Sequence, residues 1–415
     1  MIGAATGYNP HPMSSPSSVV TEAPPSDAPL PWALIGAACL GSFAATASGT
    51  TRAPLLIDMA RDLSVSIPLV ANLVTATSIA WGITSFLSGI ASDRWGRRPC
   101  LIGGTLALTL AMLGVALAGQ FWSVAAWATM AGACSGVFMG AVFAEVSSRV
   151  PDQQRGRALG WVMSGQSLTL VVGVPAAAWL GASIGWRGFN VCVGALAFLA
   201  AISLWFTTTR PAKGAVRIGG PVSLRQAMTT PVVMLLTMGI AERICHGLVV
   251  VYFATYLQQA YDLKLAAVGL PLLIMAIGNL VGTALGGQLA DKVRDRLGTF
   301  GFSLIGTGIA GVALFAWQPG LIATVAMAFA YVFVNALGRP AFMAALADVP
   351  DDVRGTVMGL NGTCASVGWA GAAGLGGWMM ATQGFGGFGP LAAALAAAGA
   401  ALAFLRRGAA RRKAA

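Results

Sequence analysis

The sequence "GIASDRWGRR" at residues 89–98 has a degenerate copy, "GQLADKVRDR", at residues 287–296. A second pair follows the same spacing, because "VPDQQRGRALG" at 150–160 returns as "VPDDVRGTVMG" at 349–359. The two offsets are 198 and 199 residues. Two separate matches at nearly one offset indicate that the chain is an internal repeat of two halves, an arrangement common among secondary transporters.

Apolar runs of about 20 residues surround these copies, and each is long enough to cross a bilayer core of roughly 30 Å. The chain of 415 residues is 56% apolar and only 9% charged. A segment in hydrocarbon must satisfy its own backbone hydrogen bonds, so the runs are predicted to be helices. The twelve predicted spans, numbered in chain order, are 33–57, 68–91, 99–118, 121–147, 157–182, 188–207, 231–257, 266–290, 298–317, 320–347, 355–381 and 387–405. The sequence therefore predicts an all-α membrane protein.

The longest polar interruption between spans separates span 6 from span 7 and divides the spans into two sets of six. The predicted organisation is a disordered cytoplasmic tail (1–32), an N-terminal six-helix bundle (33–207), a cytoplasmic linker (208–230), a C-terminal six-helix bundle (231–406) and a basic cytoplasmic tail (407–415). The first tail is rich in Pro and Ser, which favours disorder. It has no basic segment followed by an apolar core, so a cleaved signal is not expected.

The net charge of +11 is concentrated on one side of the predicted bundle. Loops on that side and the C-terminal tail carry 19 of the 25 basic residues. Positive charge collects in the cytoplasm, so both termini are expected there, in a multi-pass protein of the cell (inner) membrane. The basic charge is thus interpreted as a topology signal, and no nucleic-acid partner is expected.

Motifs for other classes of protein are missing from the sequence. The six cysteines are scattered singly, without metal-site spacing, and no GxxxxGK[ST] phosphate loop occurs. No metal or cofactor is therefore expected, and energy has to come from an ion or substrate gradient. A membrane enzyme would need a nucleophile with a base or a ligand cluster, which one intramembrane histidine does not supply. An enzyme is not expected.

The loop after span 2 carries a family resemblance. Its pattern Gly89-x-x-x-Asp93-Arg94-x-Gly96-Arg97-Arg98 resembles motif A of the major facilitator superfamily, and Asp291 belongs to the degenerate copy. The "RGRALG" that opens span 5 and the "GWRGF" before span 6 are similar to the twelve-span drug:proton antiporters, especially the sugar-efflux-like branch. In span 5, "GVPAAAWLG" replaces that family's usual Gly-Pro and glycine pair. The resemblance implies the major facilitator fold, with two pseudo-symmetric six-helix bundles.

The motif A residues are predicted to form a gate. Gly89 allows two helices to approach, Gly96 allows a tight turn, and Asp93 can face the positive end of a neighbouring helix. The resemblance implies that this neighbour is span 11, starting near Gly355, and that the contact closes the cytoplasmic side. Arg97 is expected to pair with Glu145. The alternative is a set of topology charges on a solvated loop.

Two glycine patterns are interpreted as helix-packing faces. Gly132, Gly136 and Gly140 stand four apart in span 4, so they share one face. Residues 306–311 match a dinucleotide-binding fingerprint, but they lie inside span 9 with no preceding strand.

Ionisable residues away from the loops are confined to four spans. They are Arg52 in span 1, Glu145 in span 4, Glu242, Arg243 and His246 in span 7, and Arg339 in span 10. The family resemblance implies that spans 1, 4, 7 and 10 line a central cavity, while spans 3, 6, 9 and 12 face outward. Charged side chains inside a membrane are costly, so these residues are functional candidates.

Glu242 and His246 are predicted to couple transport to protons. They lie four residues apart on one face of span 7, about 16 Å from its start, and Arg243 points about 100° away. Burial disfavours the charged form of both groups, so each can release and rebind a proton. Two alternatives stay open: Glu242 neutralises Arg243 or Arg339 in a static pair, or His246 is a packed core residue.

The predicted substrate cavity combines cations with adaptable apolar groups. Its candidate residues are Arg52, Arg243, Asn335, Arg339, Phe138 and Met139. Arg339 precedes Pro340, which disturbs helical hydrogen bonding. Its side chain can bind an anionic group of the substrate or pair with Glu242. Phe138 and Met139 can supply apolar contacts, with ordinary packing as the alternative.

The sequence favours a secondary active transporter that works by alternating access. The first hypothesis is proton-coupled efflux of small amphipathic compounds. The alternative is proton-coupled uptake of a small organic anion, favoured by Arg52, Arg243 and Arg339. The expected partners are a small-molecule substrate, protons and the lipid bilayer, and the chain is expected to act as a monomer.

Overall fold

The computed structural model describes residues 30–208, 228–293, 295–349 and 351–414. Side chains are described throughout these ranges except at 89–91, 93–95, 152–153, 351–356 and 409–414. The predicted N-terminal tail and linker lie almost wholly outside these residues. So do the side chains of Gly89, Asp93, Arg94 and Gly355, on which the predicted gate depends.

The described chain is helical. The helices are α1 (Trp32–Thr50), α2 (Leu56–Asp62), α3 (Ile67–Trp95), α4 (Arg97–Leu117), α5 (Phe121–Ser148), α6 (Asp152–Leu168), α7 (Val174–Thr207), α8 (Thr230–Ala260), α9 (Leu265–Lys292), α10 (Arg296–Ala316), α11 (Leu321–Ala347), α12 (Asp351–Gln383) and α13 (Phe388–Ala414). Short 3-10 turns at Ala53–Leu55 and Gly384–Gly387 and a π-helical turn at Thr169–Gly173 join some of them.

Twelve passes are contained in ten segments of the described residues that are long and apolar enough to cross a membrane. Two of these segments, Gln154–Thr207 and Val357–Gly408, have 54 and 52 residues. At 1.5 Å per residue each would extend about 80 Å as one helix, far beyond a bilayer core of roughly 30 Å. Gly185, with φ +71°, and Gly384, with φ +65°, interrupt them. Each segment therefore crosses twice, and the predicted twelve-span fold is confirmed.

The first span ends earlier than predicted. The apolar run predicts a helix over 33–57, but α1 stops at Thr50 and the 3-10 turn begins at Ala53. Pro54 lies inside this turn and cannot donate the backbone bond that a continuous helix would need there. Arg52 consequently lies in the turn after α1 and not within the helix.

The repeat seen in the sequence is also present in the hydrogen bonding of the two halves. Arg97, the first residue of α4, donates to the carbonyl oxygen of Ala144 at 3.1 Å. Arg296, the first residue of α10, donates to the carbonyl oxygen of Ala344 at 3.5 Å. The donors are 199 residues apart and the acceptors 200, so the two contacts are counterparts.

Glycine stripes bring two pairs of helices close together. On α5, a Cβ at Gly136 would lie 2.5 Å from the Trp81 carbonyl oxygen of α3, and one at Gly140 would lie 2.8 Å from that of Ser85. The span 4 packing face predicted from Gly132, Gly136 and Gly140 is confirmed. The second half places its stripe (Gly278, Gly282 and Gly286) on α9 against α11. In the first half the glycines lie on the second helix of the pair, α5, whereas in the second half they lie on the first helix of the pair, α9.

The two bundles contact each other at the face opposite the termini. Thr75 of α3 donates to the Ala370 carbonyl oxygen of α12 at 3.1 Å. Gln258 of α8 donates to the Pro54 carbonyl oxygen at 3.3 Å. These hydrogen bonds join the N-terminal and C-terminal bundles at that face.

Candidate functional site

Glu242 is the buried acid of the C-terminal bundle. It is the thirteenth residue of the 31-residue helix α8, so it lies about 18 Å along that helix. Only 1% of the residue is exposed. A carboxylate at this depth costs several kcal/mol unless it is protonated or paired.

Two arginines pair with the Glu242 carboxylate from different helices. Arg339 of α11 donates to Oε1 through Nη2 at 2.8 Å and through Nε at 3.2 Å. The Nε of Arg243 lies 3.4 Å from Oε2. The Arg339 and Arg243 side chains remain 15% and 23% exposed. Glu242 is therefore enclosed, whereas both of its partners are still accessible.

Asn335 completes the contacts of Arg339. Its Oδ1 accepts from Arg339 Nη2 at 3.4 Å, one helical turn away on α11. The side-chain nitrogen of Asn335 is buried and has no partner among the described residues. The cluster of Glu242, Arg243, Asn335 and Arg339 holds two positive charges and one negative charge.

His246 lies one turn from Glu242 on α8 and is 2% exposed. Its ring meets the ring of Trp369 edge to face, with centroids 5.9 Å apart. Its Nδ1 is buried without a partner in the described part of the chain. No hydrogen bond joins His246 to Glu242 there, so the two predicted coupling groups are neighbours on α8 without direct contact.

Arg52 is buried, whereas the sequence predicts it to line the cavity. It is 1% exposed, and its Nη1 donates to the Thr77 hydroxyl of α3 at 2.8 Å. Its Nε and Nη2 have no partner among the residues described. The sequence predicts Arg52 within the span 1 helix, whereas the structure places it in the turn between α1 and Pro54, and its place in the substrate cavity stays a prediction.

Phe138 packs inside the N-terminal bundle instead of facing a cavity. It is fully buried, and its ring occupies the space beside Gly41 of α1, while its Cβ lies against Gly104 of α4. Met139 is 3% exposed. In this structure Phe138 is therefore an ordinary packing residue, as the alternative interpretation stated.

The motif A residues with described side chains contact neighbouring helices. Gly96 joins α3 to α4 with φ +88°, a conformation that favours glycine. Arg97 bonds the carbonyl oxygen of Ala144, whereas the predicted partner Glu145 accepts from Arg149 at 2.8 Å. The Arg97–Glu145 pair is thus replaced by two separate contacts.

Two further motif residues lie at the same face. Arg98 donates to the Trp205 carbonyl oxygen at 3.0 Å, and its guanidinium lies 4.9 Å from the centre of that ring. Asp291, in the second copy, is exposed near the end of α9. These positions suit helix-end contacts, and the gate itself stays a prediction.

Asn279 is a polar residue of the site that the sequence reasoning missed. It lies on α9, where it and His246 line the same small, mostly apolar space. The signal available was a lone amide in "IGNLVG", within an otherwise apolar span. Among the described residues, no group of three or more His, Cys, Asp or Glu side chains could hold a metal ion.

The comparisons with known proteins identify the family. The model of the Major Facilitator Superfamily matches residues 38–373 and 243–415. This chain belongs to the Major Facilitator Superfamily and is a multi-pass membrane transporter. The predicted superfamily membership is thereby confirmed.

Relatives and solved structures agree with this membership. The chain is 25% identical to an uncharacterized MFS-type transporter of Bacillus subtilis, YwfA, over 79% of this chain and 81% of that protein. It is 25% identical to a chloramphenicol resistance protein of Streptomyces lividans, over 71% and 76%. The crystal structure of a D-xylose-proton symporter superposes with a TM-score of 0.73 at 16% identity, covering 90% of this chain and 97% of that one.

Proposed function

We propose that this protein exports small amphipathic compounds across the cell (inner) membrane in exchange for protons, acting as a monomer with both termini in the cytoplasm. The observation that carries the proposal is Glu242, a carboxylate 1% exposed at mid-helix and bonded to accessible arginines. The drug:proton antiporter branch is the proposed subgroup. Relatives named as chloramphenicol efflux pumps, of Mycobacterium tuberculosis, support export as the direction.

Proton binding at Glu242 would change the cluster as a whole. A protonated carboxyl keeps one acceptor oxygen and loses its charge, so its attraction to Arg339 and Arg243 falls. The released arginines would then be free to bind an acceptor group of the substrate or to let α8 and α11 shift. Glu242 would thereby bias the equilibrium between inward-facing and outward-facing states. His246, one turn away, is the second proposed proton site.

A second candidate is proton-coupled uptake of a small organic anion. It is supported by the excess of cations over anions: two arginines face one carboxylate, and buried Arg52 has no acidic partner among the described residues. In this mechanism protonation of Glu242 would free the arginines for the anion, so proton and substrate would bind together. In the export mechanism they would bind in alternation.

The two candidates differ in the direction of coupled movement. Purified protein in proteoliposomes with an imposed pH gradient should move radiolabelled chloramphenicol toward the more acidic compartment if it is an antiporter. Movement of benzoate toward the more alkaline compartment, beyond protein-free liposomes, would support the second candidate. Distributions of both compounds equal to those in protein-free liposomes at every pH gradient would contradict proton coupling.

A further inference from the structure

The segment of α12 at residues 368–370 lies between the charged cluster and the N-terminal bundle. On one side, the carbonyl oxygen of Ala370 accepts a hydrogen bond from Thr75 of α3 at 3.1 Å. One turn earlier on α12, the Cβ of Ser366 lies 2.9 Å from where a Cβ added to Gly82 of α3 would stand. This side of α12 therefore forms part of the contact between the two bundles.

The other side of the same segment contacts α8. Gly368 leaves room for Arg243, because a Cβ added to this glycine would come too close to the Cβ of Arg243 and would lie 3.3 Å from its Cγ. Trp369, the next residue, meets the ring of His246 edge to face. Both proposed proton sites thus reach α12 at adjacent residues, Glu242 through Arg243 and His246 directly.

The glycine at position 368 permits this close approach of α8 and α12. The atom that an added side chain would meet is the Cβ of Arg243, and a change of rotamer does not move a Cβ away. Gly368→Ala therefore has to push the two helices apart or tilt Arg243. The Nε of Arg243 lies 3.4 Å from Oε2 of Glu242, farther than either contact from Arg339. A small displacement is thus enough to separate Arg243 from the acid.

We propose that Gly368 is a positioning residue for proton coupling, which holds Arg243 beside Glu242 and thereby links the charge of this acid to the contact of α12 with α3. The ionised carboxylate attracts Arg243, and protonation weakens that attraction. Arg243 is then free to move, together with the α12 backbone that packs against it, and the contact with α3 changes. This inference rests on the proposed coupling at Glu242 and identifies the helix that carries it to the other bundle.

The test measures how far the bundles separate at the face opposite the termini. Spin labels on Arg61→Cys and Lys264→Cys, two exposed positions in different bundles, report this distance by double electron–electron resonance in full-length protein without native cysteines. Glu242→Gln mimics the protonated acid. We expect it to change the fraction of separated molecules by about fivefold or more in the otherwise native chain, the lower range of coupling between sites. In Gly368→Ala the same substitution should change that fraction by less than about twofold.

Gly376 provides the matched control. It lies about two turns farther along α12, and a Cβ added to it would meet the side chains of Tyr252 and Leu248, which belong to the same helix α8. Gly376→Ala therefore disturbs the same pair of helices without a charged neighbour. The effect of Glu242→Gln should persist at about fivefold in this variant, so the difference between the two glycine variants isolates the position of Arg243 from the general packing of α8 on α12.

A second variant keeps the test valid if Gly368→Ala folds poorly. Arg243→Met removes the guanidinium but keeps the Cβ beside Gly368, and it should abolish the effect of Glu242→Gln in the same way. An undiminished effect in Gly368→Ala or in Arg243→Met would overturn the positioning role, and so would an equal loss in Gly368→Ala and the control. No effect of Glu242→Gln in the otherwise native chain would contradict the proposed coupling itself, and the inference with it.

Discussion

The Glu242 carboxylate and the Arg339 guanidinium join α8 to α11 across 97 residues of sequence, through hydrogen bonds of 2.8 and 3.2 Å to one oxygen. The other oxygen lies 3.4 Å from Arg243. The acid thus has partners on both oxygens, and the cluster retains one uncompensated positive charge. Proton binding at Glu242 and anion binding at the arginines would each alter this balance.

Replacing Arg339 tests the strength of this pair. Arg339→Gln leaves the Glu242 charge buried with only the longer contact to Arg243. We expect the free energy of unfolding to fall by about 1.5–3 kcal/mol, the range for a hydrogen bond to a charged group. Denaturant titration in detergent micelles measures this change.

The double variant separates the pair from other effects of the substitution. Glu242→Gln with Arg339→Gln removes both charges, so more than half of the lost stability should return. Arg243→Gln should cost less than Arg339→Gln because its contact is longer and its side chain more exposed. Additive losses in the double variant would contradict a direct pair.

Gly136 tests the packing of α5 on α3. In Gly136→Ala the new methyl group would lie 2.5 Å from the Trp81 carbonyl oxygen, so the two helices have to separate. We expect a loss of about 1–3 kcal/mol in the free energy of unfolding. Gly103→Ala is the control, because no atom lies within 4 Å of its added Cβ. Equal stability of the two variants would mean that the close approach is not required.

Most of the fold could be predicted from the sequence, because long apolar runs and basic loops report directly on membrane spans. The predicted span 7 at 231–257 corresponds to α8 at Thr230–Ala260, and the repeat at 287–296 runs from the end of α9 to the first residue of α10. The Glu242–Arg339 contact was among the alternatives, since both charges lie in spans expected to line the cavity.

The surroundings of individual side chains were harder to predict. In a membrane protein the lipid and the protein interior are both apolar, so hydrophobicity alone does not tell which neighbour Phe138 meets. Arg52 was expected inside a helix, but α1 stops before Pro54 within an unbroken apolar run. Asn279 was missed because a neutral amide gives no charge signal, and its neighbours are defined only in the assembled bundle.

Asp93 tests the gate predicted from motif A. Asp93→Asn removes the negative charge expected to face span 11, so the balance between inward-facing and outward-facing states should change while the fold is kept. We expect transport to slow several-fold in a variant that inserts and unfolds like the wild type. A normal rate in well-expressed protein would contradict the gate.

Cysteine labelling tests the proposed topology. In a background without native cysteines, a cysteine at Lys213 should resist a membrane-impermeant maleimide added outside right-side-out cells. A cysteine at Lys264, exposed at the end of the bundle opposite the termini, should react and serves as the positive control. Efficient labelling at Lys213 would place the linker outside and reverse the topology.

The most direct test of proton coupling is the proton movement caused by substrate in Glu242→Gln proteoliposomes containing a trapped pH dye. The variant mimics the protonated acid, so it should bind and passively exchange chloramphenicol at a rate near that of the wild type. Added chloramphenicol should change the internal pH with the wild type and not with the variant, and the variant should no longer concentrate the compound along an imposed pH gradient. Gradient-driven accumulation by Glu242→Gln, with proton movement equal to that of the wild type, would contradict the coupling role of Glu242.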